Sequence, residues 1–209
     1  MELTAEEVRV LGCLVEKQLT TPQAYPLTEN ALVAACNQLT NRDPIVAYSG
    51  GVVRRALVSL RQEGLASFAH GGRADRHSHR LEEALQLQPA EVAVLAVLML
   101  RGPQTTGELR ARTERMHSFA SVEEVETAID ALAAKREPLV ERLARAPGQK
   151  EARVRDTLAP WDPSAVPVPA ADTGDEGPRP ASVRDEIAAL RADLESLRAQ
   201  VVALESQQR

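Results

Sequence analysis

The sequence predicts a mainly α-helical protein with small β-hairpins, built from two tandem copies of one unit and ended by a further helix. Three observations carry that prediction. Aromatic residues are only 2% of a chain that is 44% apolar, so its core is made of Leu, Val and Ala, and Ala and Leu with Glu and Arg favour helices. A shift of 84 residues lays Ala5-Glu6-Glu7-Val8-Arg9-Val10-Leu11 over Pro89-Ala90-Glu91-Val92-Ala93-Val94-Leu95. The end of the chain carries a strict heptad spacing.

The repeat continues with falling offsets. Thr28 and Leu32 match Thr105 and Leu109 at a shift of 77, and Val53, Ala56, Leu57 and Leu60 match Val125, Ala128, Ile129 and Leu132 at 72. The first copy therefore has the longer connections. In it, Thr4-x-x-Glu7 forms a capping box for a helix through about Lys17. Thr28 caps a second helix from Glu29 to about Gln38, and Asp43-Pro44 keeps it from running on. Ser49 caps a third, Gly50 to Glu63, with Gly64 as its stop. Leu65 to His70 and His77 to Leu81 then alternate as strands around Gly71-Gly72. The second copy repeats this order with Thr105-x-x-Glu108 and Ser121-x-x-Glu124 as capping boxes. Its hairpin runs from Leu139 to Arg145, through Pro147-Gly148, to Glu151 to Leu158.

Three helices followed by a hairpin describe a winged helix-turn-helix, so the expected fold is two of these in tandem, residues 1–82 and 83–158. Six prolines between Ala159 and Ala181 block helix propagation and make residues 159–181 an extended, disordered linker. Residues 182–209 read as a coiled-coil helix. Its seam is Val183, Ile187, Leu190, Leu194, Leu197, Val201 and Leu204, spaced by 4, 3, 4, 3, 4 and 3. With Ile187, Leu194 and Val201 at a positions, a parallel homodimer sets Glu186 against Arg191 and Asp193 against Arg198 of a second copy. The same stripe would also suit docking on its own chain.

Charge narrows the function. The chain has 25 Lys+Arg and 30 Asp+Glu; the net charge is 0 over residues 1–82, -1 over 83–158 and -4 in the tail. A strongly basic nucleic-acid coat is excluded, but a local basic face is not. The longest apolar run, Val92 to Leu100, falls far short of the roughly 20 residues that span a bilayer, so no membrane association is expected. The start of the chain reads as a helix cap, not a secretory signal, and Cys13 and Cys36 read as buried thiols of a reducing compartment. The expected location is the cytoplasm.

The third helix of such a unit is the one that enters a major groove. Opposite its buried stripe the first copy places Arg55, Val58, Ser59 and Gln62, flanked by Arg54 and Arg61. Its hairpin adds Arg73, Arg76 and Arg80, and between Gly50 and Glu82 six basic residues face three acidic ones. Arginine, glutamine and serine can read base edges or hold phosphates, so the eight polar residues among these are the candidate duplex-DNA contacts. They also suit an ordinary solvated surface. The corresponding helix of the second copy presents Glu123, Glu126, Thr127 and Asp130, which phosphate repels, although its hairpin carries Arg142, Arg145, Lys150, Arg153 and Arg155. That copy is a candidate for a protein partner.

Other chemistry is not expected. His70, His77 and His79 lack a fourth zinc ligand and read as a polar strand face, so no metal is assigned. Asn37, Gln38, Asn41, Arg42 and Asp43 read chiefly as helix-end and turn formers. With no phosphate loop, nucleophile elbow or spaced carboxylate pair, no enzyme activity and no cofactor are expected.

The chain resembles the uncharacterised bacterial YceH-like family. The resemblance lies in Tyr25-Pro26-Leu27-Thr28-Glu29-Asn30-Ala31-Leu32, in Ala35-Cys36-Asn37-Gln38 with Asn41-Arg42-Asp43-Pro44, and in Arg101-Gly102-Pro103-Gln104-Thr105 with Gly107-Glu108-Leu109-Arg110. Pro147-Gly148-Gln149-Lys150-Glu151 completes it. The resemblance implies a tandem winged-helix fold and a DNA-binding role, and it supplies no catalytic residue. The favoured expectation is a dimeric DNA-binding regulator reading with its first copy; the alternative is a protein-interaction adaptor that touches no DNA.

Overall fold

The computed structural model describes residues 2–71, 74–145 and 151–161. Among these residues the protein is mainly helical, with seven α-helices and two small antiparallel sheets. The expected linker beyond Trp161, the heptad seam from Val183 to Leu204, Arg73 and the Pro147-Gly148 turn lie outside the described residues.

Helix α1 (Ala5–Thr20) begins at the expected capping box: Thr4 Oγ accepts from the Glu7 N–H, and the Glu7 carboxylate accepts from the Thr4 N–H at 2.7 Å. It runs past Lys17 because Thr20 and Thr21 donate their hydroxyls to the Glu16 and Lys17 carbonyls in its last turn. A short strand, β1 (Leu27–Thr28), leads into α2 (Glu29–Cys36), which Thr28 caps. Here α2 stops at Cys36, short of Gln38, and Asp43-Pro44 is not what ends it. The Asn37 side chain ends it by bonding both the carbonyl and the N–H of Tyr48, at 2.9 and 2.7 Å.

Helix α3 (Gly50–Gln62) is capped by Ser49 and closed by Gly64, whose φ of 73° lies in the left-handed region that glycine tolerates. Strands β2 (Ala66–Ala69) and β3 (Arg76–His79) are shorter than expected. Residues 65 and 70 fall outside β2, and Leu81 belongs instead to a short helix, α4 (Leu81–Leu85), which anchors it in the core. Strand β1 pairs with β3 opposite β2, so the hairpin becomes a three-stranded sheet in the order β1-β3-β2.

The second lobe repeats the order with α5 (Pro89–Arg101), α6 (Thr106–Thr113), α7 (Val122–Ala133), β4 (Val140–Arg142) and β5 (Val154–Asp156). Its strands are also shorter than the expected spans. The counterpart of β1 shrinks to one bridge, Gln104 to Val154. Thr105 forms its full capping box, but Ser121 does not. Ser121 caps Glu124, while the Glu124 carboxylate reaches the Ala120 N–H instead of returning to Ser121.

The buried residues of the two lobes join in a single cluster. Gly12 of α1 faces α5 so closely that a Cβ there would stand 3.0 Å from Met99 Cβ and 3.1 Å from Leu100 Cδ2. Backbone bonds from Leu3 N–H to the Leu158 carbonyl and from Asp43 N–H to the Leu100 carbonyl also join the lobes. The expected boundary between Glu82 and Glu83 falls inside α4.

Polar groups anchor the long α2–α3 connection. Arg9, from α1, donates to the carbonyls of Cys36 and Pro44, and Arg42 grips both oxygens of Glu16 at 3.0 and 2.6 Å. Burial by itself would raise the Glu16 carboxyl, but the hydrogen bonds and charge of Arg42 outweigh it and hold the group below its ordinary range. The polar cluster is therefore structural, as its residue types suggest. Cys13 and Cys36 are free and fully buried. No helix among the described residues is long and apolar enough to cross a membrane.

Candidate nucleic-acid interface

Helix α3 buries Val53, Ala56, Leu57 and Leu60, as their spacing requires, and turns Arg54, Arg55, Arg61 and Gln62 outward with Ser59 half-buried. A cleft of about 490 Å³ lies beside it, walled by the start of α2, by α3 and by the hairpin residues Ala74, Asp75 and His77. Arg54 and Arg61 stand on its α3 wall.

The cations differ in how they are held. Arg54 makes a two-pronged contact with the Glu29 carboxylate, at 3.0 and 2.6 Å, and the hydrogen bond holds Glu29 below the usual carboxylate range. The Arg61 guanidinium lies 4.0 Å from the centre of the Phe68 ring. Arg76 donates to the Pro26 carbonyl at 2.9 Å and thereby ties the hairpin to the β1 approach. Arg80 pairs with Glu83 at 2.7 Å on α4. Arg55 is exposed and has no ion-pair or hydrogen-bond partner among the described residues. Arg73 lies outside them.

The histidines do not form a polar strand face. His77 and His79 do share a face of β3, but it is the buried one; only His70 points outward, where it bonds Asp75 at 2.8 Å. The Leu81 N–H donates to His79 Nδ1, which fixes the neutral tautomer. Burial pushes the His79 imidazole down to about 4 and lowers His77 as well. Tyr25 accepts from the His79 N–H at 2.7 Å, and burial raises its phenol to about 12. Among the described residues no cluster of three His, Cys, Asp or Glu is placed to hold a metal.

In the second lobe three hairpin arginines are held by carboxylates of the same lobe. Arg142 of β4 folds onto α7 and pairs with Glu126 and, at 2.9 Å, with Asp130. Arg153 is held by Glu108 at 2.8 Å, and Arg155 by Glu141 at 2.8 Å with Trp161 beyond it. The acidic helix and the hairpin, opposite in sign along the sequence, thus meet within one lobe through Arg142. Sequence reasoning missed Glu29 as the residue that holds Arg54. The repeat contained a signal: offsets of 77 and 72 place Thr106 and Glu126 at the positions of Glu29 and Arg54, and Thr106 donates to Glu126.

Residues 3–149 match the family described as "Protein of unknown function, DUF480". The chain belongs to the DUF480 family. A UPF0502 protein of Geobacter metallireducens is 54% identical over 158 residues, covering 75% of this chain and 72% of that relative. Another, from Opitutus terrae, is 51% identical over 195 residues, 90% of this chain and 83% of the relative. A third, from Chromobacterium violaceum, is 45% identical over 98% of this chain and 91% of its own length, so DUF480 relatives extend into the segment beyond Trp161. The resemblance to an uncharacterised bacterial family therefore holds, under the DUF480 and UPF0502 names rather than the YceH-like one.

Proposed function

We propose that the protein is a dimeric, cytoplasmic DNA-binding regulator made of two winged helix-turn-helix lobes, with the first lobe as the reader and the C-terminal seam as the dimer contact. The observation that carries this reading is α3: an ordered helix that turns Arg54, Arg55, Arg61 and Gln62 outward beside an antiparallel hairpin, in a chain whose net charge is -5. Two helices, a third helix and then a hairpin supply the element order that the winged reading needs. Arg55, the unpaired cation of α3, suits a base edge, while Arg76 and Arg73 suit the backbone.

Fluorescence anisotropy on random duplex and on genomic fragments enriched by the protein tests the proposal. Affinity should fall steeply with salt. Arg73→Ala should weaken all sequences alike, whereas Arg55→Ala should relax preference at one base pair by about 1–3 kcal/mol. Glu123→Ala in the second lobe should change little. Arg76→Ala is a poorer probe than Arg73→Ala, because Arg76 also ties the hairpin to Pro26.

A second reading, an adaptor that binds proteins and no DNA, is favoured by α7, whose outward carboxylates already hold the Arg142 cation of the neighbouring hairpin. Leu39 and Ile45, 77% and 60% exposed in the α2–α3 connection, fit that reading too. Wild-type protein with no salt-sensitive DNA binding would select it.

A further inference from the structure

We propose that Glu29 sets how strongly the third helix of the first lobe grips the DNA backbone, by competing with phosphate for Arg54. The inference rests on the DNA-binding reading and names a residue that tunes it. Arg54 enters no core: its side chain is 68% exposed, and its fixed partner is the Glu29 carboxylate, 27% exposed. The fork of donors that grips Glu29, at 3.0 and 2.6 Å, is the one a phosphate would use. A phosphate gains the two-pronged Nε and Nη2 edge of Arg54 only by displacing Glu29; if it uses the remaining Nη1 donors instead, it shares the cation with the Glu29 carboxylate and is repelled by it. Displacement is feasible because exposed ion pairs are weak, yet it subtracts from every phosphate contact regardless of sequence.

The other groups around the cleft do not replace Glu29 in this role. Arg61 lies over Phe68, Asp75 is bonded to His70, and burial holds the His77 imidazole below its usual range. The Arg54 hydrogen bond holds the Glu29 carboxyl below its ordinary range. The second lobe shows the same contact with its chemistry reversed. Thr106 and Glu126 occupy the equivalent positions, so the place of Arg54 is taken by a carboxylate, which also pairs with Arg142 from the hairpin. In the first lobe the pair holds Arg54 in reserve, while Arg55 and Arg61 have no carboxylate partner among the described residues. Such a restraint limits sequence-independent affinity and gives base contacts more weight in the choice of site.

The test is a double-mutant cycle in the full chain, read by anisotropy on random duplex across a salt series. Glu29→Gln keeps the size and removes the charge. It should tighten binding about two- to fivefold at low salt and steepen the salt slope by about one. Glu29→Asp, which keeps the charge, should stay within about twofold of wild type. In an Arg54→Ala background Glu29→Gln should have no effect. A purely structural Glu29, serving the α2 N-terminus, would instead make Glu29→Gln bind more weakly and melt earlier. Wild-type binding with Glu29→Gln unchanged or weaker, or a gain that persists without Arg54, overturns this inference alone. No salt-sensitive binding by wild type overturns the DNA-binding reading and this inference with it.

Discussion

His79 shows how a residue type can mislead when its neighbours are unknown. Polar in sequence, it sits on β3 with its face turned into the core, its Nδ1 accepting from the Leu81 N–H and its Nε2 buried without a partner among the described residues. Charging it would strand a cation there, so burial lowers its pKa in the folded protein from 6.5 to about 4. An unfolded chain then binds the proton more readily than the folded one below pH 6.5. Stability is full above that pH and declines as pH falls towards 4, with His77 acting in the same direction. Between pH 7.5 and 5 the loss attributable to His79 should be roughly 2 kcal/mol. Urea unfolding at several pH values, with His79→Phe as comparison, checks this; a wild-type stability that stays flat down to pH 5 would contradict it. Arg42 teaches the converse. Its cluster was legible as structural from Asn and Asp at a helix end, but its grip on Glu16 joins residues 26 apart and was not.

Elements were legible where local chemistry alone decides them. The α3 stripe, its Ser49 cap and its Gly64 stop all follow from spacing and backbone freedom within one segment. Strand ends were not, because pairing decides them: β3 ends where Leu81 is drawn into the core, and β1 exists only because Leu27 and Thr28 meet His77 and Arg76. The α1–α5 crossing is another pairing that no local rule announces. A glycine inside a helix ordinarily costs about 1 kcal/mol against Ala, so Gly12 in mid-helix needs a reason, and Met99 Cβ is that reason. Gly12→Leu should therefore destabilise the protein by about 1–3 kcal/mol through overpacking, despite leucine's better helix propensity. Thermal or denaturant melts of the variant decide it; a Gly12→Leu protein as stable as wild type would show that α5 can retreat.

At the scale of the whole molecule, the two repeats share one core instead of standing as beads on a linker. Their mutual orientation therefore follows from packing, as the close approach of Gly12 to Met99 and Leu100 illustrates. The proposed dimer adds a further level. Its seam of three heptads is short, so association should be weak and visible only at tens of micromolar or above, roughly the range for such marginally long helices. Sedimentation of the full chain against a chain ending at Trp161 checks the proposal. Dimer in the first and monomer in the second supports the seam, and two monomers would remove dimerisation from the proposed function.

What the sequence determined by itself was much of what near neighbours along the chain carry: helical class, tandem repetition, the Thr4, Thr28, Ser49 and Thr105 caps, the Gly64 stop and the buried stripes, because i to i+4 chemistry is complete within each of those segments. It also placed Arg54, Arg55 and Arg61 on α3 and Arg76 on the hairpin, whereas Arg80 falls just past β3 as the N-cap of α4. Only the tertiary structure decided which of those cations are already held. Whether Arg54 meets Glu29, Arg61 meets Phe68 or Arg142 meets Glu126 depends on elements brought together from distant parts of the chain. Charge counted along a sequence is formal; the charge a surface presents is what remains after folding has paired it.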